Sequence, residues 1–291
     1  IVENTGVIER RIANKNQACS DIAVLAAQSA LDNAGIGAKD VDLIVMSTLT
    51  PDYILPQTSS VVKKNIRATN SLCFDVQAGC AGFAYGLISS VSFAKCNEDI
   101  NNILVIGSDV ISKVINWSNR KLCSVQGDGA GAFVLQHSEE PYGIISSAIE
   151  HTDMEKFEDI CIPSCYGEVK HDTEILYGYD GGYIYKMFMD GIPKVVKKLL
   201  DKVEWRAEEV NMFIFPQVTE QIIIDICNNL GVDKRNTHIS LRKYGYTFNS
   251  CMPIAVDNAI ANNKLKKGDK VILVAAGGGN YFAAVALEWS I

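Results

Sequence analysis

The feature that most restricts the fold of this chain is an order of elements that occurs twice. In the first pass, DLIVMSTL (42–49) is a short apolar run of the kind needed by a strand buried on both faces. A helix near 57–66 follows, then the strand LCFDVQA (72–78), a helix over 80–95 and the strand NILVIGSD (102–109). The second pass runs through the strand NMFIFPQ (211–217), a helix over 219–231, the strand THISL (237–241) and a helix over 250–262. It ends on KVILVAA (270–276), a triple glycine and the strand YFAAVALEW (281–289). Cys80 and Cys251 fall at comparable places in the two passes. Such a repeat predicts an internally duplicated α/β fold.

The halves are expected to divide as 1–141 and 142–291. A helix over 20–36 precedes the first pass, with a Ser-Asp start and a glycine near its end. GAFVLQH (131–137) and YGIISSAIE (142–150) are expected to form adjacent antiparallel strands joined by a turn around Pro141. The polar, glycine-bearing region 151–182 reads as a loop-rich insertion capping one face.

Composition narrows the function classes. With 48% hydrophobic and 21% charged residues, the chain has the balance of a globular protein rather than a disordered one. A net charge of −7 argues against nucleic-acid or anionic-membrane binding. No apolar run reaches the roughly 18 residues of a membrane span, and no secretory signal is recognisable. Most of the nine cysteines sit in apolar runs, as reduced core cysteines do, so a cytoplasmic location is expected. Cys161 and Cys165 form a close pair, but no second pair or histidine set completes a zinc site, so no metal is expected.

The chemistry centres on FDVQAGCAGFAYGL (74–87). There Cys80 stands where a strand becomes a helix, and unpaired N–H groups at a helix start stabilise a thiolate. Ala78, Gly79, Ala81 and Gly82 leave room for a substrate, although a cysteine at a buried helix start is also an ordinary packing residue. GDGAGAFVL (127–135) lacks the spacing of a nucleotide loop and leads into a strand, so a tight turn explains it better. The triple glycine at 277–279 suits backbone N–H groups facing an oxyanion. None of the four histidines, His137, His151, His171 and His238, lies in a context that marks a general base.

Together these stretches resemble β-ketoacyl-acyl-carrier-protein synthase III, of the thiolase-like condensing enzymes. The likeness runs from IVENTGVIERRIA through LPQTSS (55–60), FDVQAGCAGFAYGL, VIGSDV (105–110) and GDGAGA (127–132) to the final VILVAAGGGNYFAAVALEW. The resemblance implies a thiolase-like duplicated αβαβα five-layer fold, a dimer, and a cysteine acylated by a thioester. Coenzyme A enters as part of a substrate, acyl-CoA or acyl-carrier protein, and no cofactor is implied. On this resemblance Cys80 accepts the acyl group, and the N–H groups of Cys80 and Gly278 hold the oxyanion. Arg120 matches a CoA-contacting arginine, Leu55 a residue that shapes the partner's acyl pocket, and Lys186 a carrier-docking lysine. The family's first strand and a CoA-stacking tryptophan would precede Ile1.

Departures from the family pattern carry as much information. Gln217 stands where the resemblance implies a catalytic histidine, and Tyr246 where it implies an asparagine; Asn249 is three positions late. The basic docking patch becomes Ile222, Asn228 and Asn229, a CoA-binding arginine becomes Asn4, and a phenylalanine becomes Ala276. These replacements make acyl transfer on Cys80 without decarboxylative condensation the expected activity. The alternatives are an ordinary synthase III condensing acyl-CoA with a malonyl-carrier protein, or an impaired subunit paired with a related condensing enzyme.

Overall fold

The computed structural model describes residues 1–153 and 181–291. The strand β1 (Leu43–Ser47) is buried at every position. It runs parallel to β2 (Leu72–Val76) on one side and β3 (Asn102–Asp109) on the other. β4 (Gly129–Gln136) joins antiparallel to β3, giving a first sheet ordered β2-β1-β3-β4. The second sheet holds β5 (Gly143–His151), β6 (Met212–Ile214), β7 (Lys270–Gly277) and β8 (Tyr281–Glu288), ordered β5-β8-β7-β6.

Among the described residues six principal helices complete the layers. α1 (Cys19–Ala34) and α2 (Thr58–Ile66) cover the outer face of the first sheet, where Ala27, Leu31 and Val62 meet Ile44, Met46 and Ile106. α3 (Gly82–Cys96) and α6 (Cys251–Ala261) lie between the sheets. Phe83, Leu87, Met252 and Val256 pack there against Leu43 and Val45 from one sheet and Leu273 and Val285 from the other. α4 (Gly181–Val203) and α5 (Glu220–Leu230) cover the outer face of the second sheet through Ile192, Val196, Ile223 and Ile226. Side chains alternate across a strand, so β1 sends Leu43 and Val45 to the central layer and Ile44 and Met46 to the outer one. That double burial is why its sequence is an unbroken apolar run. The result is a five-layer αβαβα arrangement, and no helix among the described residues is long and apolar enough to cross a membrane.

Two expectations about strands need correction, and one helix is unexpected. β4 and β5 do not form a hairpin: β4 pairs with β3 in one sheet and β5 with β8 in the other, and the Pro141 connection crosses between sheets. Residues 237–241 are not a strand. Thr237 makes one isolated bridge to Phe213, after which the N–H groups of Ser240 and Leu241 bond to the Gln217 side chain and are lost to any ladder. His238 therefore lies outside a strand, its ring nitrogen Nε2 2.8 Å from the Asn258 carbonyl oxygen. The helix α4 has no counterpart in the sequence reading, because Gly191 and Pro193 interrupt its pattern. The paired Cys161 and Cys165, His171 and most of the expected 151–182 insertion lie outside the described residues.

Gly191 is where α4 touches β8 most closely: a Cβ there would fall 2.1 Å from the buried Phe282 ring. Gly191→Ala should therefore destabilise the protein by about 1–3 kcal/mol through overpacking. Gly181→Ala, where an added Cβ meets no atom of the described residues within 4 Å, should change stability by less than about 0.5 kcal/mol. Urea denaturation midpoints of the two variants check the difference.

Candidate active site

The chain leaves β2 through a compressed turn. Gly79 adopts a left-handed φ of 56°, Ala81 N–H bonds to Ala78 O at 3.1 Å, and Cys80 stands at the apex. The helix α3 begins at Gly82, so Cys80 precedes its first turn rather than opening the helix at residue 80 as expected. Facing this turn is the link between β7 and β8. A Cβ on Gly79 would lie 2.9 Å from Gly278 N, and one on Gly277 would lie 2.7 Å from Ala78 O and 3.1 Å from Cys80 N. Only bare backbone permits that approach. It brings the Gly278 backbone beside Cys80, where its N–H favours the thiolate.

Tyr246 lines the same cleft as Cys80, and its hydroxyl favours the thiolate. Tyr246 is buried and its backbone bridges to Gln126. Cys80 is partly buried and shares a narrow cleft with Phe83, Pro216, Tyr246, Phe248, Asn249 and Cys251. Free space in this cleft is on the order of one water molecule. Burial pushes the Cys80 thiol up to about 12, with the negative charge of Asp109 adding to the rise and Tyr246 and Gly278 opposing it. The neighbouring Cys251 is also pushed up to about 12 by burial. No histidine lines the cleft among the described residues.

Gln217 is close by but turned away. Its backbone N–H opposes the rise of the Cys251 thiol. Its side-chain amide donates to Phe215 O at 2.9 Å and His238 O at 3.2 Å, and its Oε1 accepts from Ser240 N at 2.8 Å and Leu241 N at 3.2 Å. The side chain is a brace for the loop after β6. The structure thus gathers Cys80, Gly278 and Tyr246 into one site and excludes the Gln217 side chain from it. Arg120 is exposed at the start of a short helical turn, and Leu55 is 83% exposed. Lys186 is exposed on α4 and lines a separate polar depression with Asp190, Lys194 and Asn280. Ile222 is buried in the core and cannot serve a docking surface, whereas Asn228 and Asn229 are exposed.

Two neighbours of the site, Asp109 and Ser47, escape the sequence reading. Each is a polar residue closing an apolar strand, which is the one signal that marks them. Among the described residues no group of three or more His, Cys, Asp or Glu side chains could hold a metal ion.

A layered αβαβα fold with a cysteine between two glycine turns places the chain among the thiolase-like proteins. Family models for 3-oxoacyl-[acyl-carrier-protein] synthase III match residues 74–153, and for its C-terminal part residues 200–289. The β-ketoacyl-[acyl-carrier-protein] synthase III of Natranaerobius thermophilus is 36% identical, over 99% of this chain and 90% of its own. That of Clostridium novyi is 36% identical over 100% and 90%. The crystal structure of 3-oxoacyl-[acyl-carrier-protein] synthase III from Aquifex aeolicus superposes with a TM-score of 0.91 at 31% identity, covering 99% of this chain and 90% of that one. The chain belongs to the 3-oxoacyl-[acyl-carrier-protein] synthase III family.

A thiol held near 12 is protonated at neutral pH. Iodoacetamide labelling of Cys80, followed by peptide mass, should therefore climb about tenfold per pH unit from 7 to 10 without a plateau. Tyr246→Phe removes the hydroxyl that favours the thiolate; at the roughly 1.5–3 kcal/mol typical of a hydrogen bond to a charged group, it should slow labelling at least tenfold at pH 8.

Proposed function

We propose that the protein is a condensing enzyme of the synthase III type, in which Cys80 takes an acyl group from a thioester such as acyl-CoA and passes it to a malonyl thioester. The observation that carries this reading is the convergence around Cys80 of the glycine backbone at 277–278 from the second half, packed directly on the 78–80 turn, and of Tyr246 in the same cleft. In the loading step the Cys80 sulfur forms a bond to the acyl carbon, the carbon–sulfur bond of the donor breaks, and the thiol proton passes to the departing thiolate. One thiol replaces another, so the step needs no net base. The N–H groups of Gly278 and Cys80 face the position of the transient oxyanion, and loss of one such donor costs about 10²–10³ in rate. In the second step the malonyl thioester loses carbon dioxide, its carbon bonds to the acyl carbon and displaces Cys80 as a thiolate, and the thiolate takes a proton from solvent.

A second reading stops after loading and hands the acyl group to another nucleophile. It is favoured by the fate of Gln217, whose amide is spent on the backbone of residues 215–241 and cannot polarise a malonyl carbonyl. A homodimer suits either reading. Tyr53, Ile54 and Leu55 are 59%, 67% and 83% exposed, and Leu72 on the edge strand β2 is 62% exposed, an apolar stretch suited to a second copy of the chain or a related condensing enzyme. An acyl-carrier protein is the natural second substrate, with the exposed Lys186 as a candidate contact for its acidic surface.

Intact-mass spectrometry after incubation with acetyl-CoA and longer acyl-CoAs should show one acyl adduct, absent in Cys80→Ala. Adding malonyl-carrier protein should discharge the adduct and yield a 3-oxoacyl thioester. An adduct that persists in malonyl-carrier protein would select the second reading, and no adduct from any donor would defeat both.

A further inference from the structure

Behind the cleft lies a buried carboxylate that the reaction as described does not use. Asp109 ends β3 with no exposed surface and accepts four hydrogen bonds. Its Oδ1 takes Leu49 N–H at 2.6 Å and the Thr48 hydroxyl at 3.2 Å. Its Oδ2 takes both the backbone N–H of Asn249 at 2.9 Å and the Asn249 side-chain amide at 3.0 Å. The other end of that carboxamide, Oδ1, accepts the Ser47 hydroxyl at 2.8 Å. Burial pushes the Asp109 carboxyl up to about 6, so at neutral pH it is ionised, as an acceptor of four donors should be.

The fold makes room for this arrangement at two glycines. A Cβ on Gly107 of β3 would fall 2.3 Å from the Asn249 carbonyl oxygen, and one on Gly82 of α3 would fall 2.7 Å from Asn249 Oδ1. Asn249 is therefore wedged between elements of the first half, although it belongs to the second. Three residues before it comes Tyr246, whose backbone is pinned separately: its N–H donates to Val125 O at 2.8 Å and its carbonyl accepts from Gly127 N–H at 3.0 Å. Between the pins Phe248 has a φ of 53°, a left-handed conformation that is strained for a bulky residue. Its ring centroid lies 4.6 Å from that of Tyr246. A strained residue between two anchors, packed on the side chain beside the nucleophile, is the arrangement expected when position matters more than local stability.

We propose that Asp109 and Asn249 are positioning residues for the nucleophile: their paired hydrogen bonds hold the segment 246–249 so that Tyr246 keeps its place beside Cys80 in the cleft. This rests on Cys80 being the reactive thiol, but not on which acyl donor or acceptor it serves. An alkylation assay keeps the two apart, because it needs no acyl substrate.

The test is a double-mutant cycle on the iodoacetamide labelling rate of Cys80 at pH 8, with urea denaturation confirming that each variant is folded. Asn249→Ala should slow labelling about tenfold, matching Tyr246→Phe. The Asn249→Ala/Tyr246→Phe double variant should be no slower than either single one, since a misplaced hydroxyl and a missing one are equivalent. An unchanged rate in Asn249→Ala, or losses that multiply in the double variant, would overturn the proposal, because a merely structural role adds to the loss of the hydroxyl. If Asn249→Ala is too unstable to purify, Ser47→Ala, which removes only the hydroxyl holding Asn249 Oδ1, runs through the same cycle. There a several-fold loss that vanishes in the Tyr246→Phe background supports the proposal, and no loss or a multiplying one sinks it.

Discussion

Two backbone turns meet without a side chain between them, and the site exists because of that contact. The turn Ala78–Ala81 comes from the first half of the chain and the turn Gly277–Gly279 from the second. Each supplies an amide, and each needs glycine where the other approaches. The layers behind them hold the turns in place: α3 carries the first turn into the central layer, while β7 and β8 carry the second on the facing sheet. A methyl group at Gly79 or Gly277 would separate the halves where their contact has chemical meaning.

Around this contact the electrostatics are austere. The thiol is buried, a carboxylate lies nearby, and the groups that favour the thiolate are two neutral donors. Such a site stabilises the free thiolate poorly. It is better suited to a reaction in which sulfur replaces sulfur, where charge moves briefly and the proton is returned with the leaving group. Fixed N–H dipoles serve a transient oxyanion without reorganising, and that suits a dry cleft with room for little beyond a water.

How much of this was legible in the sequence depended on the range of the interactions. Cys80 and Gly278 could be read because their neighbours in sequence are the small residues that make the turns possible. The run of β1 could be read because a strand buried on both faces has one composition. Tyr246 could be placed only through resemblance. Gln217 also stood out by resemblance, yet its role as a loop brace depends on the amides of Ser240 and Leu241, which no local pattern reveals. The same two bonds removed the expected strand at 237–241. The supposed hairpin around Pro141 failed because two strands close in sequence found partners in different sheets. Asp109 and Asn249, 140 residues apart, meet only in the folded chain.

The junction between halves has a further consequence for the life of the molecule. Cys80 belongs to one half, while Gly278, Tyr246 and Asn249 all belong to the other. A nascent chain therefore exposes its cysteine long before the residues that surround it have been synthesised. Until the second sheet docks, that cysteine lacks both the facing glycine turn and the tyrosine beside it. The environment of the sulfur is in this sense a property of the completed chain.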